Sequence, residues 1–100
     1  MTRGSTPTYT ISFEEEIDFD TVKTWSVAFE QGRNQLRLDS PEIDPEEKTL
    51  TVTLSQADTL RFADGEAKLQ VRGVFYDDVA FVSDIVVVPV HPVIDERILK

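Results

Sequence analysis

Apolar and polar residues alternate along most of this chain with a period of two. Residues 8–13 place Tyr9, Ile11 and Phe13 on one face and Thr8, Thr10 and Ser12 on the other, the pattern of a half-buried strand. An acidic stretch, Glu14, Glu15 and Glu16, follows, with Ile17 and Phe19 available to pin it to a core. Residues 25–31 repeat the alternation with Trp25, Val27 and Phe29 inward. Gly32, Arg33 and Asn34 predict a hairpin loop, because Gly and Asn accept positive φ. Residues 35–39 return with Leu36 and Leu38 inward, and residues 40–47, carrying Pro41, Pro45 and several acids, predict a loop. Residues 49–54 predict the next strand, with Leu50, Val52 and Leu54 on its buried face.

The alternation breaks over residues 55–63. Ser55 with Asp58 three positions on is a helix N-cap signal and Gly65 a suitable stop. One or two helical turns are expected, with Leu60 and Phe62 closing an end of the core. Residues 67–76 predict a long strand with Leu69, Val71 and Phe75 on one face, and Gly73 on that face marks a bulge or a tight crossing. Asp77 and Asp78 turn the chain into a last long strand over residues 79–90, bent or bulged near Ser83 and Asp84. The sum is an all-β antiparallel sandwich of about six or seven strands with one short helical crossover. It spans residues 8–94, between a flexible N-terminal arm, residues 1–7, and a C-terminal tail, residues 95–100.

One run departs from strand alternation. Ile85, Val86, Val87 and Val88 are consecutive and apolar. Such a strand is either central and covered on both faces or presents its outer face to another subunit. Both readings stand at this point, and an exposed strand edge would add β-augmentation as a second route to a partner. The candidate interface is therefore Ile85, Val86, Val87 and Val88, together with Thr2, Arg3 and Pro7 of the arm. Pro7 holds the residue before it extended, which suits an arm laid along a partner.

Composition narrows the function classes. One hundred residues with 40% apolar content make one soluble domain. Without cysteine there are no disulfides and no thiolate metal ligands. No apolar run approaches the length of a membrane span. The polar first residues lack a secretory hydrophobic region, so the product is expected to stay in the cytoplasm unless it leaves inside a larger assembly. With 19 acids against 10 bases, the net charge of −9 repels nucleic acid and anionic membranes. The acid excess serves solubility or, alternatively, a basic partner surface.

Catalytic chemistry finds little to stand on. The lone histidine, His91, has no cysteine to pair with, and no Gly-x-Ser-x-Gly elbow presents a serine. Zinc would need histidines or cysteines in number. The acidic clusters, residues 14–20 and Glu42 with Asp44, Glu46 and Glu47, lack a calcium-loop spacing and read as solvated loops. The four glycines are scattered, so no phosphate loop forms. Most aromatics fall on inward positions, which favours core over a stacking platform. No catalytic, metal or cofactor site is expected, and the chain reads as a non-enzyme that works by binding or assembly.

Three stretches carry a resemblance. Arg3-Gly4-Ser5-Thr6-Pro7-Thr8 runs into an alternating strand. Val27-Ala28-Phe29-Glu30-Gln31-Gly32 forms a strand and hairpin. The segment from Leu50 through Ser55, Asp58 and Leu60 to Phe62 is followed by Leu69-Gln70-Val71-Arg72. In this order the chain resembles small proteins encoded in phages and prophages of Gram-positive, often gut, bacteria. It is also similar to the N-terminal domain of phage upper-baseplate proteins. The resemblance implies an immunoglobulin-like sandwich and a virion accessory or assembly role in head, neck or baseplate. The implied partners are other virion proteins and further copies of the chain, with no nucleic acid and no membrane. A host-directed module that recognises a glycan or a basic protein is the alternative.

Overall fold

The structure is a computed structural model that describes residues 1–13 and 17–100. About half of the described residues lie in strands, which form two stacked antiparallel sheets joined through one short helix. The strands are β1 (Thr8–Ser12), β2 (Val22–Gln31), β3 (Asn34–Leu38), β4 (Glu42–Asp44), β5 (Thr49–Thr53), β6 (Gly65–Phe75), β7 (Ala80–Val82) and β8 (Val86–Val90). The helix α1 (Gln56–Leu60) carries the chain from β5 in one sheet to β6 in the other. The smaller sheet has the order β1-β5-β4. The larger runs β3-β2-β6, with β7 and β8 following each other along the far side of β6. If β7 and β8 are taken as one bulged strand, a single strand changes sheets relative to the immunoglobulin order. Here β2 lies between β3 and β6, not beside β1 and β5.

The strands form where period-two alternation coincides with β-branched residues. Thr8, Thr10 and Ser12 pair with Thr53, Thr51 and Thr49 on the outer face of the small sheet, while Tyr9 and Ile11 lie over Val52 and Leu50 within. Of the residues whose phase points between the sheets, Trp25, Val27, Phe29, Leu36, Leu50, Val52, Leu54, Leu69 and Val71 are buried, and Tyr9, Ile11, Phe13, Leu38 and Phe75 are half-buried against them. An aromatic group fills one end, where Phe19 and Phe13 sit 4.8 and 5.8 Å from Trp25, centroid to centroid. At the other end Phe29 meets Tyr9 and Phe62. Gly73 proves to be a close approach: the Phe81 ring of the neighbouring strand lies across it and meets Trp25 edge-on at 5.5 Å.

Ser55 caps α1 as expected, its hydroxyl accepting from the Asp58 N–H while the Asp58 carboxylate accepts from the Ser55 N–H. Phe62 beyond it is buried and Leu60 half-buried.

Three expectations are corrected. Residues 40–47 are not all loop: β4 pairs with β5, Ile43 opposite Leu50. A single apolar position between two acids is too short for periodicity to reveal. The hairpin loop is Gly32 and Arg33 alone, since Asn34 already pairs with Gln31, and Gly32 supplies the positive φ of 58°. The last long strand is two strands. Arg72 pairs with Val82 and Leu69 with Val86, so three steps along β6 face four along its partner, which is a β-bulge. The described residues thus form eight strands, seven if β7 and β8 are taken as one. The acidic stretch of residues 14–16 lies outside the described residues.

Candidate functional site

The bulge sets up the surface on which the apolar run lies. Ser83 locks it: its N–H donates to the Val71 carbonyl, its hydroxyl accepts from the Val71 N–H, and its carbonyl accepts from the Gln70 side chain. The extra residue reverses the phase of the strand. Phe81 points into the core before the bulge, and Val88 and Val90 point into it after. After the bulge β8 keeps one phase, with Val88 inward and Val87 outward, and Val86 at its start is exposed past the cover of the core.

The four residues of the run separate. Val88 is core, 5% exposed. Ile85, Val86 and Val87 are each more than half exposed, as are Val79 and Val82 upstream. Together with β7, these residues form the outer edge of the larger sheet. Val82 is the member that periodicity alone misses, because only the bulge reveals that Val82 and Val87 share the outer face.

Backbone geometry shows which groups the edge leaves open. The His91 N–H donates to the Met1 carbonyl, the His91 carbonyl accepts from the Arg3 N–H, and the Pro89 carbonyl accepts from the terminal ammonium. Residues 89 and 91 therefore point away from β6, and strand alternation makes Val87 do the same. In β7, the Val79 carbonyl and Ser83 N–H bond β6, so Ala80 and Val82 point outward. Among the described residues the edge leaves N–H and C=O groups at Ala80, Val82 and Val87 without a strand partner, and Pro89, which lacks an N–H, falls where none is needed inward.

The arm residues lie at the end of this same edge, but they do not stand free. Thr2 forms a parallel bridge with His91. Arg3 donates to the Phe62 and Leu60 carbonyls and to the Glu96 carboxylate. The Gly4 N–H donates to the buried Thr59 hydroxyl, which donates in turn to the Ser5 carbonyl. The Pro7 carbonyl accepts from the Leu54 N–H. Thr2, Arg3 and Pro7 thus each bond to the chain's own sandwich, with Thr2 exposed. The tail is tied as well, with the Gln56 side chain bonding both backbone groups of Leu99. Arg97 bonds Asp95 within the tail and holds its carboxyl below the usual carboxylate range.

In the two acidic clusters, Asp18 and Asp44 hold local turns. Asp18 accepts from the Asp20 N–H and caps a single 3-10 turn. Asp44 accepts from the N–H groups of Glu46 and Glu47. A shallow hollow of about 340 Å³ lies between Asp18, Asp20, Pro45 and Lys48. No three acidic or histidine side chains among the described residues gather as a metal site. Tyr76 is the one exposed aromatic among them. No family model, curated protein or solved structure matches the chain.

Proposed function

We propose that the protein is an accessory or assembly component of a phage virion, in head, neck or baseplate, and acts through protein–protein contacts without catalysis. The observation that carries the contact reading is the apolar edge. Val79, Val82, Ile85, Val86 and Val87 are exposed beside unpaired strand groups, whereas natural proteins blunt such edges with charges or cover them. The virion assignment rests on the ordered sequence resemblance. The single exposed aromatic, Tyr76, argues against a glycan platform, which needs several. On this reading the protein is assembled in the bacterial cytoplasm and leaves it in the particle.

The test is proteomics of purified particles from the bacterium that carries the gene, with cross-linking to locate contacts. The protein is expected in the particle, cross-linked to other virion proteins. Its absence from particles, combined with binding to a cell-wall glycan or a basic host protein, would replace this reading with a host-directed module.

A further inference from the structure

We infer that the bare edge is self-complementary and joins a second copy of this chain, β7–β8 against β7–β8, in an antiparallel pair about a two-fold axis. The inference deepens the assembly reading by naming one partner. Its basis is the register that the bulge imposes. Val82 and Val87 lie on opposite sides of the bulge, yet both direct their backbone groups outward and both project from the outer face of the sheet. Two residues can pair across an antiparallel interface only when backbone direction and face agree. Without the bulge, residues five apart would disagree in both. With it, Val82 of one copy can face Val87 of the other, and the symmetry repeats the pair on the far side of the axis.

The length matches as well. The open stretch is closed at one end by the turn at Asp77 and Asp78 and at the other by the arm on Pro89 and His91. Placing Val82 opposite Val87 uses residues 81–88 and stops before the arm. Charge permits this approach. Residues 80–88 hold one acid, Asp84, and no base, and on β6 Arg72 pairs with Val82 and Lys68 with Val87. The acid excess lies elsewhere. The two Asp84 side chains come near each other at the axis, so they oppose association and salt relieves them. A strand pair this short falls below the roughly 1,200 Å² of a standard stable interface, so the dimer is a weak one.

Sedimentation velocity tests this on the whole chain, between about 10 μM and about 1 mM, the range of weak association. The mean mass is expected to rise with concentration toward twice the monomer, more steeply at high salt and for Asp84→Asn. Val87→Pro removes only an outward N–H, as Pro89 already does, and should abolish the rise. Val87→Lys should do the same, so a proline variant that loses its fold leaves the test intact. A parent that stays monomeric throughout at high salt overturns the proposal, as does a dimer that both Val87 variants leave unchanged. A monomer that still cross-links to other virion proteins would remove the self-pairing and leave the assembly reading standing.

Discussion

Gly73→Ala probes the tightest contact in the core. Gly73 pairs with Trp25 on one side and Phe81 on the other. An added Cβ would stand 2.3 Å from the Phe81 Cζ and 2.4 Å from its Cε1. Carbon atoms settle about 3.5–4.0 Å apart, so the ring must retreat by about 1 Å or more. It cannot retreat freely, because Phe81 also meets Phe75 at 5.0 Å and Trp25 at 5.5 Å. Overpacking of this kind costs about 1–3 kcal/mol, and each aromatic pair it loosens is worth about 0.5–1.5 kcal/mol. The backbone at Gly73 is not left-handed, so alanine fits it and gains about 0.4–1 kcal/mol by restricting the unfolded chain. The expected net loss is about 1–3 kcal/mol. Urea unfolding followed by the fluorescence of Trp25, the sole tryptophan, measures it. In a Phe81→Ala background the new methyl meets no ring, and its cost should fall to about zero or reverse. An equal cost in both backgrounds would refute the reasoning.

Trp25→Ala should cost about 3–5 kcal/mol in thermal unfolding followed by circular dichroism, since the indole is 5% exposed amid three aromatic neighbours; a variant as stable as the parent would contradict the core assignment. Val88→Glu places a carboxylate in the core and should unfold the chain, whereas Val86→Glu, at a residue 53% exposed, should leave the dispersed amide spectrum of the fold unchanged. Burial pushes the Tyr9 hydroxyl above its ordinary value. The unfolded chain then loses that proton first, so this contribution to stability is intact below about pH 10 and declines as pH rises through the folded-state value. Tyr9→Phe should remove the higher phenolate absorbance step and the alkaline decline together.

The strands and their buried faces were legible because the core side of each carries a plain period-two signal, as in Tyr9-x-Ile11 or Leu50-x-Val52. The helix start was legible because the Ser55–Asp58 capping box is a local hydrogen-bond pattern that needs no tertiary context. What escaped was non-local. The β4 strand shows itself only in its pairing with β5, Ile43 opposite Leu50, and no three-residue pattern announces that. The arm reads as loose because its anchors are polar: Arg3 reaches carbonyls near α1, and Gly4 and Ser5 meet the Thr59 hydroxyl. These partners lie more than fifty residues away in sequence. The candidate edge was half legible. The run at residues 85–88 stood out, but it appeared as one unit, because a bulge that reverses phase is invisible to a search for constant phase. The bulge assigns Val88 to the core and brings Val82 into the edge.

The central claim is that this edge is open in the free chain and closed by a partner. Amide hydrogen exchange, resolved by residue and compared between dilute protein and the associated or particle-bound form, tests it directly. In the dilute chain Ser83, Val86, Val88, Val90 and His91 should be protected, the first four by β6 and His91 by Met1, while Ala80, Val82 and Val87 exchange freely. On association those three should become protected and the rest change little. Protection of Ala80, Val82 and Val87 in the dilute monomer, or their continued free exchange in the assembled state, would contradict the account.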